Sequence, residues 1–231
     1  WLAMKWGDRG RAFSGAEAGT GRFWIWFQLC FWALITHPLL DMCTSFGTQI
    51  LAPLSDKRFA LDAVSIVDPV YTVPILGVLI AGMLRPRRVA RNQRWAQIAL
   101  VVSTAYLGLG LFNSTQARAA GLAQLTEDGV EVAELRATPT LLNTVLWRIA
   151  AKDGDNQFRV GFHNRLTGQP VVFQTYHSDQ GETVNAALNS REGRVLQWFS
   201  TDMLRAQVTR ITEGGQTVVL SGMHFGVVSQ P

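Results

Sequence analysis

His37 and Asp41 are the residues of this sequence best placed to do chemistry. Four positions apart, they fall on one face of a helix, one turn from each other. A neutral imidazole and a carboxylate so placed are a ligand pair for zinc or another divalent ion; they are equally a surface His–Asp hydrogen bond. Pro38 disfavours helical geometry at His37, so a bend is expected there. Asp56, Asp62 and Asp68 follow before Thr72. Ionisable groups at membrane depth cost about 2.5–3.5 kcal/mol for an aspartate and mark function by default. Asp68 precedes Pro69 and reads as an N-cap with proline at the first helical position. Asp56, in Ser55-Asp56-Lys57-Arg58, reads as a turn residue paired with its basic neighbours. Asp62 has apolar residues around it and no base close behind it, so it is the hardest of the three to assign to a turn or cap. Thr44, Ser45, Gly47, Thr48 and Gln49 form a polar cluster that breaks the helix, either presenting backbone groups to a phosphate or carbonyl or simply turning the chain.

The elements that position these groups follow from hydropathy. Phe23–Leu40, Val70–Leu84 and Trp95–Phe112 are apolar runs, and about 20 helical residues cross a hydrocarbon core of about 30 Å. They predict three transmembrane helices, about 23–41, 69–84 and 95–112, with a polar site loop over 41–68. Trp24 and Trp26 suit an interfacial belt. The 231 residues divide unevenly in charge: 11 Lys/Arg against 6 Asp/Glu up to Phe112, then 10 against 11. Short basic segments beside apolar runs are a topology signal, not a nucleic-acid footprint. Arg85–Arg94 carries five arginines and no acid, and Lys5, Arg9, Arg11 and Arg22 precede the first run. Both segments are therefore expected on the cytoplasmic side, with the 41–68 loop and everything after Phe112 outside.

Residues 113–231 read as a soluble α+β domain with an antiparallel sheet. Asn113–Thr126 looks helical. Two hairpins are expected, around Lys152–Asn156 and around Glu213–Gln216, with a further strand in PVVFQTYH. ETVNAALNS and GRVLQWFSTDML read as helices. His163, His177 and His224 fall on strand-like segments and take no catalytic role. Cys30 and Cys43 fit no zinc or redox spacing, and Cys30 reads as a buried free thiol.

The stretch THPLLDMCTSFGTQILAPLSDKRFALDAVSIVDPVYT resembles the core signature of the YdjM-type family, the predicted membrane-bound metal-dependent hydrolases of bacterial inner membranes. The likeness rests on His37, Asp41, Thr44, Gly47, Thr48, Pro53, Ser55, Asp56, Arg58, Asp62 and Asp68. It implies an inner-membrane protein with a bound divalent metal ion, zinc or similar, and a hydrolytic site at the outer face. In that frame His37 and Asp41 are metal ligands, Asp62 or Asp68 is a ligand or general base, and Arg58 holds an anionic group. A site at the bilayer surface suits a lipid-like ester or phosphoester. The family's earlier His-Arg-Gly-x-Thr-His-Ser motif does not occur before Phe23, so the chain is expected to begin inside a longer protein. The rival expectation is a non-enzymatic membrane scaffold whose outer domain binds a protein partner. Membrane lipids are the expected partners in either case, and nucleic acid is not. Three helices without matched broken segments do not suggest a transporter.

Overall fold

The computed structural model describes residues 16–154, 156–201, 203–210 and 216–223. His224, the basic residues before Ala16 and most of the second expected turn lie outside them. Three helices come first: α1 (Ala16–Met42), α2 (Pro69–Leu84) and α3 (Val89–Glu127). Among the described residues two helices are long and apolar enough to cross a membrane: Gly21–Met42, whose apolar 18-residue stretch has mean hydropathy 1.4, and Val89–Glu127, with such a stretch at 1.6. The expected third crossing is α2. It is apolar, but its 16 residues rise only about 24 Å, short of the roughly 30 Å core.

Aromatic and aliphatic side chains surround α1 on every side, and each residue from Gly21 to His37 is exposed. Cys30, expected to be buried, is exposed with them. Phe23, Phe27 and Phe31 stack at successive turns, with ring centroids 6.1 and 6.0 Å apart. The helix runs on through Pro38 to Met42, so His37 and Asp41 keep their one-turn separation.

The run expected to end at Phe112 and its helical continuation are one helix. The 39 residues of α3 extend about 58 Å, enough to cross a membrane and continue as the spine of the α+β region. Its buried residues include Ser103, Gly110, Ser114, Ala117, Gly121 and Leu125, a stripe at intervals of three, four and seven. The small ones set how closely neighbours approach. A Cβ on Gly110 would collide with the carbonyl oxygen of Ala63, and one on Gly121 would lie 2.8 Å from the Ile149 side chain. Gly110 therefore admits the polar segment after α1, and Gly121 admits the sheet.

That sheet is an antiparallel meander of β1 (Val132–Pro139), β2 (Leu146–Asp153), β3 (Gln157–Asn164) and β4 (Gln174–His177). Alternation along β2 divides the core. Trp147 and Ile149 pack with Ala117 of α3, Ala137 and Val171. Ala150 faces the other way, into a cluster with Phe158, Val160, Met203 and Met223. Gln124 fastens the sheet's flank to α3 by accepting from Val171 N–H at 2.7 Å and donating to its carbonyl at 2.6 Å. After β4 come α4 (Glu182–Asn189), α5 (Arg191–Ser200), and the hairpin of β5 (Leu204–Arg210) and β6 (Gln216–Gly222). The helix expected across GRVLQWFSTDML stops at Ser200, where Thr201 adopts a left-handed cap and the chain enters β5. Membrane helices with an α+β region of antiparallel sheets is thus the architecture.

Candidate functional site

Between α1 and α2, residues 43–67 fold back on themselves. Thr48 and Phe59 exchange backbone hydrogen bonds at 2.9 and 3.0 Å, and Ala63 N–H donates to the Cys43 carbonyl at 2.9 Å. Thr44 N–H donates to the Asp41 carbonyl. At Thr44 and Thr48, then, the polar cluster turns the chain, the second of its two expected roles, and these backbone groups bond within the fold. Gly47 permits the fold-back. Its φ is +76°, and a Cβ there would sit 3.3 Å from the Phe59 carbonyl oxygen.

His37 and Asp41 stand at the start of this segment. Nδ1 and Oδ2 are 3.3 Å apart, and the side chains are 76% and 51% exposed. Donors on adjacent corners of a tetrahedral zinc site, with bonds of about 2.0–2.2 Å, lie about 3.3 Å apart. Donor type and separation fit two positions around a divalent ion, and equally the direct His–Asp contact that the pair makes. Among the described residues, no group of three or more His, Cys, Asp or Glu comes together to hold one, so no third protein donor joins the pair there.

The other residues expected at the site are turned elsewhere. Asp62 is 5% exposed and takes a bidentate grip from Arg136 of β1, with Nη2–Oδ1 at 2.7 Å and Nε–Oδ2 at 3.3 Å. Burial pushes the Asp62 carboxyl above its ordinary value, and the Arg136 guanidinium pulls against that shift. Arg136 also donates to the Ser45 carbonyl at 3.5 Å and to Thr201 Oγ1 at 3.4 Å, so one side chain ties the polar segment to both β1 and the end of α5. With both oxygens bonded to Arg136, Asp62 fastens the segment to β1.

Asp68 is 2% exposed. Its Oδ1 accepts from the N–H groups of Val70 and Tyr71 at 2.9 and 3.3 Å, which is the N-cap its sequence context indicates. Its Oδ2 accepts from the Tyr106 hydroxyl of α3 at 2.9 Å, and that hydroxyl also lies 3.3 Å from Thr144 Oγ1 in the β1–β2 loop. Arg58 donates from Nη1 to the Phe199 carbonyl at 3.0 Å. Its guanidinium carbon lies 5.0 Å from the Trp198 ring centroid and 4.9 Å from that of Phe199. Burial lowers its pKa, with a smaller push from Arg136. Asp56 contributes its carbonyl to the same joint, accepting from Trp198 Nε1 at 3.0 Å and Gln49 Nε2 at 3.3 Å.

Sequence reasoning did not find Arg136, Tyr106, Thr144 or the Trp198–Phe199 pair. Each comes from an element far along the chain, and no local motif marks any of them. The structure therefore separates the expected residues into two groups. His37 and Asp41 are together and accessible; Asp62, Asp68 and Arg58 are distributed through a packed joint. Two cavities, of about 490 and 450 Å³, are lined by neither group.

Compared with known proteins, residues 1–117 match the family model described as YdjM inner membrane protein. No curated protein and no solved structure matches the chain.

Proposed function

The chain belongs to the YdjM inner membrane protein family, and from that premise we propose a multi-pass protein with a divalent-cation-dependent hydrolytic site at the outer face of the membrane. The observation that supports this reading is the His37–Asp41 pair, two donors 3.3 Å apart on one exposed helix turn. His37 and Asp41 would hold two positions of the ion and leave the others to water and substrate. The chemistry a divalent ion would supply there is a bound water of lowered pKa and polarisation of an ester or phosphoester. Exposure at the end of a membrane helix gives such a group, on a lipid-like substrate, access without crossing a protein gate. Asp62, Asp68 and Arg58 act as positioning residues, fixing the segment that leads away from the pair.

The orientation rests on Arg85–Arg94, five arginines without an acid, held on the cytoplasmic side. In this reading α2 is the third crossing. Its shortfall is met by local thinning of the bilayer and by arginines reaching to the interface. The α+β domain is then periplasmic.

A second reading, a non-enzymatic scaffold whose outer domain binds a protein partner, is favoured by how fully Asp62, Asp68 and Arg58 are engaged in packing. Metal content separates the two. Protein purified in detergent and titrated with zinc should bind it stoichiometrically, and His37→Ala and Asp41→Ala should each lower affinity by more than the 10–100-fold typical of outer-shell changes. Wild-type protein that takes up no divalent ion, or a His37→Ala variant that still does, would sink the hydrolase and leave the scaffold.

A further inference from the structure

The larger cavity is a groove between α2 and α3, away from the site above. Gly77, Ala81 and Arg85 line it on α2, and Arg91, Trp95, Ile98 and Val102 on α3. These intervals of three and four residues make one stripe along each helix, so the groove follows α3 for about 16 Å from Arg91 to Val102. Its lining changes character along the way, with two guanidinium groups at the loop end and apolar side chains beyond them. Asn92 Nδ2 donates to the Arg85 carbonyl at 2.9 Å and ties the mouth of the groove together. Small residues keep the interior open: a Cβ on Gly77 would meet no atom within 4 Å. Neither arginine forms an ion pair with a described residue, and no acid occurs between Arg85 and Arg94.

We propose that this groove binds an anionic phospholipid from the leaflet on the arginine side. The phosphate lies between Arg85 and Arg91, and an acyl chain runs along Gly77, Ala81, Ile98 and Val102. Charge complementarity selects the occupant. Two unneutralised cations attract a lipid of net negative charge, whereas a zwitterionic headgroup brings an ammonium that opposes them. The apolar stripe selects a ligand with a chain over a free phosphate. The inference depends on α2 and α3 lying in the membrane and is independent of His37 and Asp41.

The test is lipid retention by the purified full chain, read by native mass spectrometry after equilibration with equal phosphatidylglycerol and phosphatidylcholine. Phosphatidylglycerol should be retained selectively. Arg85→Gln and Arg91→Gln should each weaken its retention about fivefold, and the double variant roughly thirtyfold, as expected for one basic contact each. Arg87→Gln with Arg88→Gln, outside the groove, should weaken it clearly less than the Arg85/Arg91 double variant does. Gly77→Leu, which fills the groove and leaves both arginines, should also reduce retention without lowering the unfolding midpoint. Equal retention of the two lipids would overturn the proposal. So would an Arg87/Arg88 double variant as defective as the Arg85/Arg91 one, or a Gly77→Leu variant that binds normally. Competition by glycerophosphoglycerol, the headgroup without chains, as effective as the whole lipid would reassign the site to a free phosphate and equally overturn it.

Discussion

Asp41 and Asp62 bracket the same polar segment and meet opposite surroundings. Asp41 ends α1 beside His37 with half its side chain exposed. Asp62 is 5% exposed and gripped by an arginine 74 residues further on. The difference comes from what packs over each. The α+β domain lies along the segment from Ser45 to Asp62, through Arg136 of β1 and the end of α5, and it leaves the end of α1 uncovered. One stretch of chain thus starts from an exposed His–Asp pair and is fastened structurally beyond it. A carboxylate in an apolar neighbourhood is not by itself a catalytic one.

The sharpest way to break that contrast is to remove each carboxylate in turn. Asp62→Ala leaves the Arg136 guanidinium buried without its partner, and breaking a buried pair in this way costs about 3–5 kcal/mol. Replacing both, Asp62→Asn with Arg136→Met, should recover part of the loss, because no charge is left buried without a partner and asparagine tolerates the left-handed φ of +50° at this position. Asp41→Ala should leave stability unchanged. Denaturant unfolding of the purified protein reads all three. Equal losses at Asp41 and Asp62 would erase the distinction between the two ends.

A smaller effect is expected at the close approach that seats the segment. Gly110→Ala places a methyl against the Ala63 carbonyl, and backbone displacement of this kind costs about 1–3 kcal/mol, partly offset by up to about 1 kcal/mol of helix propensity. Gly77→Ala gains the same propensity with nothing in its way. The two substitutions, both glycine to alanine in apolar helices, should therefore move the unfolding midpoint in opposite directions. A stabilising Gly110→Ala would mean the segment does not rest on α3.

Much of this arrangement is legible in the chain itself. Hydropathy locates α1, α2 and the apolar part of α3, and Asp68-Pro69 marks the start of α2. Turn residues locate both the β2–β3 and the β5–β6 hairpin. The site is legible only where it is local. His37 and Asp41 are read correctly as neighbours because a helix fixes that distance. The fates of Asp62 and Arg58 depend on Arg136, Trp198 and Phe199, which tertiary packing brings in, and no spacing within residues 41–68 encodes those partners. β1 escapes detection for a related reason. VAELRATP mixes polar and apolar residues without strict alternation, and it lies at the edge of the sheet.

The smallest expected effect concerns Arg58, which the sequence assigns to an anionic ligand and the structure places over two aromatic rings. A guanidinium stacks on such faces and donates in its own plane; an ammonium does neither so well. Arg58 does both, lying over Trp198 and Phe199 while bonding the Phe199 carbonyl near the end of α5. Arg58→Lys keeps the positive charge near that helix C-terminus, a favourable placement of about 0.3–1 kcal/mol, and gives up the stacking. At a part-exposed site the loss should be about 0.5–1 kcal/mol. Trp198→Leu added to Arg58→Lys should then cost less than Trp198→Leu in wild type, because the two side chains act through one contact. Unfolding of the two single variants and the double variant measures that coupling. If the coupling is absent and Arg58→Lys instead weakens binding of inorganic phosphate, Arg58 belongs with His37 and Asp41 at the open end, and the division between the ends moves past it.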